Sequence, residues 1–234
     1  MCGIGGMLGQ PDRTVLSRMN DLMKHRGPDG AGIFSDDDCG LAHTRLAILD
    51  ISGSPQPLFG PGKVAVVNGE IYNHNQLRDS MYSYTTNGDS EVILSSHSRK
   101  GDASFHAEWI SKLDGMFAFA LWSNQQLILA RDPVGIKPLM RTIVDDTLLF
   151  ASEAKALRAH ESYIPAIDDL ALKARIAWEY PLDATTLFEG VHQVRPGTVE
   201  VWELVDGSPV MTSISRFEIQ EVKPAQSWNN PEAL

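Results

Sequence analysis

The sequence predicts an α+β fold in which two mostly antiparallel sheets pack face to face and each carries a helical layer on its outer side. Three observations predict it. Strand-like stretches arrive in consecutive hairpins, with turns at Asp145-Asp146 and Asp206-Gly207, where a doubly wound parallel sheet would alternate strands with helices. Residues 116–122 place Phe117, Phe119 and Leu121 on one face and Met116, Ala118, Ala120 and Trp122 on the other. Both faces are apolar, so this strand needs a packed layer on each side. Between the hairpins, apolar residues recur at helical spacing.

Taken in order, residues 2–9 (Cys2-Gly-Ile-Gly-Gly-Met-Leu-Gly9) read as a first strand. Val15, Leu16, Met19, Leu22 and Met23 then mark an amphipathic helix over 13–24, stopped by the turn formers of Arg26-Gly-Pro-Asp-Gly30. Residues 33–34 and 41–49 read as strands joined by Asp36-Asp-Asp38, and 52–62 as a loop rich in Pro and Gly. The apolar run 63–67 predicts a strand covered on both faces that ends at Asn68-Gly69. Helical spacing returns over 75–81, 90–98, 103–113, 153–160 and 168–178. Further strands are expected at 127–130, 139–144 and 148–151, with a last hairpin from 198–204 and 210–217. Residues 218–234 turn polar and Pro-containing, as a linker or tail would.

A chain of 234 residues with 43% hydrophobic and 21% charged residues can bury a substantial core. Its formal charge of −10 argues against nucleic acid or an anionic membrane as the main partner. The sequence shows neither a signal peptide nor an apolar run of the roughly 18–20 residues that a membrane span needs. Two cysteines, Cys2 and Cys39, make a disulfide scaffold or a metal cluster poor expectations. A reducing cytoplasm is the default compartment.

The N-terminal stretch carries the sharpest chemical possibility. Removing Met1 puts a thiol and a free α-amine on Cys2, and that pair is a self-contained nucleophile and base. The alternative is an ordinary strand whose second residue is cysteine. A thiol attacking a carboxamide needs donors for the tetrahedral oxygen, and Asn68-Gly69 offers a side-chain NH₂ beside a backbone N–H. Asn-Gly is equally a common turn dipeptide. Arg45 can grip a carboxylate with two hydrogen bonds, or simply face solvent from the polar side of a strand. Glu70 and Asp89 suit an α-ammonium, while Asp89 also suits the N-cap of the helix after it. Arg131-Asp132 reads as a buried structural ion pair at a turn. His25, His43 and His74 lack metal-ligand spacing and read as structural.

Together these motifs resemble class II glutamine amidotransferase domains. The resemblance runs through Cys2-Gly-Ile-Gly-Gly, Arg26-Gly-Pro-Asp29, Leu41-Ala-His-Thr-Arg-Leu-Ala-Ile-Leu-Asp50 and Val67-Asn-Gly-Glu-Ile-Tyr-Asn-His74. It continues through Gly88-Asp-Ser-Glu-Val-Ile93, Leu113-Asp-Gly-Met-Phe-Ala-Phe-Ala120, Ala130-Arg-Asp-Pro-Val-Gly-Ile-Lys-Pro-Leu139 and Phe150-Ala-Ser-Glu-Ala-Lys-Ala-Leu157. Val194-Arg-Pro-Gly197 extends it, so residues 2–217 are covered, and the chain is most similar to the glutaminase half of glutamine-hydrolysing asparagine synthetases.

The resemblance implies a four-layer αββα sandwich, the N-terminal nucleophile (Ntn) hydrolase fold. It implies that Cys2 is the nucleophile with its own amine as base, that Asn68 and the Gly69 amide receive the oxyanion, and that Arg45 binds the α-carboxylate of L-glutamine. Glu70 and Asp89 are similar to the groups that hold the α-ammonium, with Asn68 also against the substrate. Glutamine would be cut to glutamate and ammonia through a γ-glutamyl thioester. Two features depart from the pattern. Met140-Arg141 stands where an aromatic residue is usual, and Gly30-Ala-Gly32 varies after Arg26-Gly-Pro-Asp29. The ATP-using synthetase domain of that family, with its pyrophosphate loop, is absent from these residues. ATP and Mg are expected only there, and no cofactor or metal is expected here. A separate synthetase subunit and a second copy of the chain are the protein partners left open. The rival readings are a non-catalytic docking module and an N-terminal nucleophile acting on another amide.

Overall fold

The computed structural model describes residues 1–51, 53–180 and 183–218. Twelve strands form two six-stranded sheets among the described residues. The first sheet runs in the order β10 (His192–Gln193), β8 (Met140–Val144), β9 (Thr147–Ala151), β1 (Gly3–Leu8), β3 (Cys39–Arg45), β2 (Gly30–Ser35). The second runs β12 (Ser208–Arg216), β11 (Thr198–Val205), β7 (Gln126–Arg131), β6 (Gly115–Ser123), β5 (Lys63–Ile71), β4 (Leu58–Gly60). Every strand pairing is antiparallel, as the hairpin pattern predicts. Asn124-Gln125, Asp145-Asp146 and Asp206-Gly207 all have positive φ at both positions, the twist that two-residue hairpins require.

Three apolar clusters define four layers. Ile4, Leu8, Leu41, Val64, Val66, Ala118, Ala120 and Phe150 fill the space between the sheets. On the outside of the first sheet, Met7, Ala42 and Leu149 meet α1 (Arg13–Met23) and α5 (Ala154–Leu157). On the outside of the second, Val67, Phe117 and Phe119 meet α3 (Val92–Ser96) and α4 (Ala103–Ile110). β6 therefore has the two-sided burial that its sequence calls for. The αββα sandwich is present.

Local chemistry places the helices. Asp12 caps α1 by accepting from Thr14 N at 2.6 Å, and Asp102 caps α4 by accepting from Phe105 N at 2.9 Å. Val15, Leu16, Met19 and Met23 of α1 are buried, whereas Leu22 remains at the surface. Between β5 and α3 only a single turn forms, α2 (His74–Leu77), where periodicity suggested 75–81. α6 (Asp169–Trp178) starts at the Asp168 cap but buries only Ala171.

Three expectations are corrected. β3 ends at Arg45 and not at 49, because Leu46 turns its amide to the Cys2 sulfur and leaves the ladder. β5 does not stop at Asn68-Gly69; it pairs with β6 through Ile71 opposite Gly115. The expected Arg131–Asp132 ion pair is not formed: Arg131 donates to the carbonyls of Gly135, Lys137 and Val194, while Asp132 accepts from the amides of Ile136 and Lys137. Each charge thus organises the turn after β7 through its own hydrogen bonds. Beyond Glu218, the polar tail expected from sequence lies outside the described residues.

Candidate active site

Strand periodicity builds the site. Side chains alternate across a sheet, so Cys2 shares a face with Ile4 and Leu8, and Arg45 with Cys39 and Leu41. In the facing sheet Asn68 and Glu70 continue the series Val64, Val66. The inter-sheet core therefore opens at one end into a cleft lined by Cys2, Arg45, Asn68, Gly69, Glu70 and Asp89. All six sequence candidates meet in this one place.

Cys2 is half-buried, and Met1 also lines the cleft. Its sulfur lies 3.3 Å from the Leu46 amide, which donates to it, and 3.6 Å from the Leu46 carbonyl. Arg26 fixes the Cys2 backbone: its Nε donates to the Cys2 carbonyl at 2.9 Å and its Nη1 to Glu153 at 2.8 Å. Burial alone would raise the Glu153 carboxyl, but hydrogen bonds from Arg26, His25 and Lys155 outweigh it and bring the pKa down to about 2.

Asn68 is buried with neither its Oδ1 nor its Nδ2 hydrogen-bonded. The β5 ladder explains why Gly69 follows it. Alternate peptides of a strand point to opposite edges. On the outer edge Ala65 pairs with Leu58 of β4, Val67 bonds the Gln56 side chain, and Ile71 N donates to Asp89 Oδ2 at 2.7 Å. Gly69, between Val67 and Ile71, points its N–H to that same edge at the cleft. A Cβ at Gly69 would run into the Met116 carbonyl of β6, so only glycine fits.

Arg45 reaches across the cleft mouth. Its Nη1 donates to Ile51 O at 2.7 Å, and its Nη2 to Asp50 O at 2.7 Å and Leu49 O at 3.3 Å. Those bonds leave the Nε–H and one Nη1 hydrogen of the five guanidinium donors for a ligand. Asp89 does not cap α3, whose first residues carry no side-chain cap; its carboxylate turns back to β5. The loop bearing it is organised by Glu91, fully buried, which accepts from the amides and hydroxyls of Thr85 and Thr86. Two carboxylates and a guanidinium around one cleft complement a zwitterion.

Sequence reasoning missed three neighbours. His43, read as structural, crosses between the sheets and donates from Nε2 to Val67 O at 3.2 Å. Burial depresses it to about 3, with Arg45 adding to the effect against the Val67 bond, so it is neutral. Lys137 lines the cleft although only 5% exposed, and among the described residues its ammonium has no ion pair or hydrogen bond. Gln56 contacts β5 through its side chain. Nothing local marks any of these, because each is defined by what the fold brings beside it: Val67 for His43 and Gln56, and the cleft for Lys137.

An αββα sandwich with a near-terminal thiol at the mouth of its inter-sheet core is the architecture of the Ntn amidotransferases. The chain belongs to the glutamine amidotransferase domain family, which it matches over residues 1–209. It is 35% identical over 213 residues to the glutamine-hydrolyzing asparagine synthetase 1 of Bacillus subtilis, covering 85% of this chain and 33% of that protein. It is 41% identical over 170 residues to asparagine synthetase B of Escherichia coli, covering 67% and 30% respectively. The chain thus spans about a third of the length of these relatives. The glutamine phosphoribosylpyrophosphate amidotransferase of B. subtilis shares the fold, with a TM-score of 0.65 at 20% identity over 94% of this chain and 50% of that one. No helix among the described residues is long and apolar enough to cross a membrane.

Proposed function

We propose that this domain hydrolyses the side-chain amide of L-glutamine with Cys2 as nucleophile. Once Met1 is removed, the Cys2 α-amine takes the thiol proton and the thiolate attacks the amide carbon. The oxygen that becomes negative is received by the Asn68 Nδ2 and the Gly69 N–H. The C–N bond breaks, ammonia leaves with the amine's proton, and a γ-glutamyl thioester remains. Water then cleaves the thioester, releasing glutamate and restoring the thiol. Arg45 holds the α-carboxylate; Glu70 and Asp89 hold the α-ammonium. The hydrolysis itself draws on no nucleotide or metal, and the ammonia serves an ATP-dependent amidation of the asparagine synthetase type, carried out by a synthetase domain or subunit.

One observation carries this reading: a buried carboxamide, Asn68, with both polar atoms unpaired, shares a cleft with the Cys2 sulfur. A group so costly to leave unsatisfied makes sense when a substrate completes it. The test pairs intact mass with a glutaminase assay. The active protein is expected to lack Met1, and Cys2→Ala to abolish glutamate release while unfolding at an unchanged temperature. Near-parental turnover by Cys2→Ala refutes the assignment.

A further inference from the structure

β4 is only three residues long, and a side chain continues its pairing with β5. The strand ends its pairing with β5 at Leu58 opposite Ala65. One ladder position further along, where a longer β4 would bond Val67, the Gln56 side chain takes over: Val67 N donates to Gln56 Oε1 at 2.6 Å, and Gln56 Nε2 donates to Val67 O at 3.2 Å. A carboxamide presents a donor and an acceptor side by side, so it can stand in for a strand residue at one position and no further. His43 from the opposite sheet donates to the same carbonyl. The next peptide on this edge is that of Gly69.

We propose that Gln56 is a positioning residue for the hydrolysis, holding the Val67 peptide so that the Asn68 side chain and the Gly69 N–H are aimed at the tetrahedral oxygen; the proposal rests on the glutaminase reading above. Gln56 ends the ladder where it must end. A backbone strand in its place would run on and cover the Gly69 N–H, and an unpaired edge would leave Val67 free to twist. The Gln56 backbone is itself braced against the first sheet, since β2 approaches it so closely that a Cβ at Gly32 would collide with the Gln56 carbonyl. The side chain therefore transmits the spacing of both sheets to the peptide before Asn68.

The test uses the full chain and Gln56→Met, which fills similar volume without either hydrogen bond. Two ligands separate transition-state from ground-state binding: L-glutamate, and glutamate γ-semialdehyde, whose aldehyde carbon the Cys2 thiol attacks to give a tetrahedral oxyanion. Gln56→Met is expected to lower kcat for glutamine and semialdehyde affinity together, by about 10- to 100-fold, with KM and glutamate affinity nearly unchanged. Gln56→Glu keeps an acceptor for Val67 N and is expected to fall between the parent and the methionine variant; it carries the same test if Gln56→Met does not fold. Retention of parental kcat by Gln56→Met overturns the proposal. So does a parallel fall in both affinities, which marks a general loosening of the pocket. A parent chain that binds neither ligand overturns the glutaminase reading and this proposal with it.

Discussion

Replacing Asn68 by alanine should move stability and activity in opposite directions. The Asn68 side chain is buried and neither of its polar atoms has a hydrogen bond. Each such atom costs the fold roughly 1–3 kcal/mol, and alanine removes both. The deletion also forfeits packing, but the side chain lines the wall of a cleft and is packed on fewer sides than a core residue, so that loss is the smaller one. The net expectation is a fold unchanged or stabilised by up to about 2 kcal/mol, a rise of a few degrees in Tm for a domain of this size. Catalysis should suffer far more. Losing one oxyanion donor costs about 10²–10³ in kcat, or roughly 3–4 kcal/mol of transition-state stabilisation, with the Gly69 amide left to act alone. Urea unfolding followed by fluorescence measures the first quantity, and steady-state glutamate release the second. A variant that loses stability and turnover in parallel would show that Asn68 is a structural strand residue. Full turnover would show that the oxygen is received elsewhere.

Two further outcomes test other parts of the cleft. Asp89→Asn keeps an oxygen for the Ile71 amide, so the fold should persist, while the lost charge raises KM for glutamine about 10- to 100-fold; an unchanged KM removes Asp89 from the ammonium site. For pH, His43 titrates near its ordinary 6.5 when unfolded but only at about 3 in the fold. Between those values the unfolded chain binds the extra proton, so stability present above pH 6.5 is lost progressively as pH falls toward 3. His97, brought by burial to about 4, and the similarly depressed His106 act in the same direction. His43→Gln should flatten the stability–pH curve by at most about 1.4 kcal/mol per pH unit, and curves of equal slope would contradict the assignment.

Much of the architecture is legible from residue pattern because it rests on periodicity. The alternation along 116–122 demands two covered faces, and β6 has them in the Phe117–Phe119 and Ala118–Ala120 clusters. The turn pairs at 145–146 and 206–207 are equally local. What escapes is whatever a distant partner decides. Asn68-Gly69 has the composition of a turn, yet β6 pairs straight through it, and the glycine answers to the closeness of Met116. Residues 46–49 have the apolar pattern of a strand, but Leu46 spends its amide on the Cys2 sulfur. α6 shows the reverse: its apolar residues suggest a packed helix, and Leu170, Ile176 and Trp178 are exposed.

The site residues were found by motif, but strand parity explains why they converge. Ile4 and Leu8, Cys39 and Leu41, Val64 and Val66 all point between the sheets. Carried one or two steps toward the same end of the sandwich, the same repeat of two delivers Cys2, Arg45, Asn68 and Glu70. Polarity switches there from apolar to ionic within single strands, without any change of backbone direction. Cys2 and the residues that share its cleft are thus core positions at the open end of the sandwich. A one-residue register slip in β5 would send Asn68 and Glu70 to the helical face and bring Val67 and Gly69 inward. The pairing with β6 opposes that slip, because any other residue of β5 moved to the place of Gly69 would carry a Cβ into the Met116 carbonyl. The burial that stabilises the sandwich and the aim of the groups at its open end are therefore set by the same pairing.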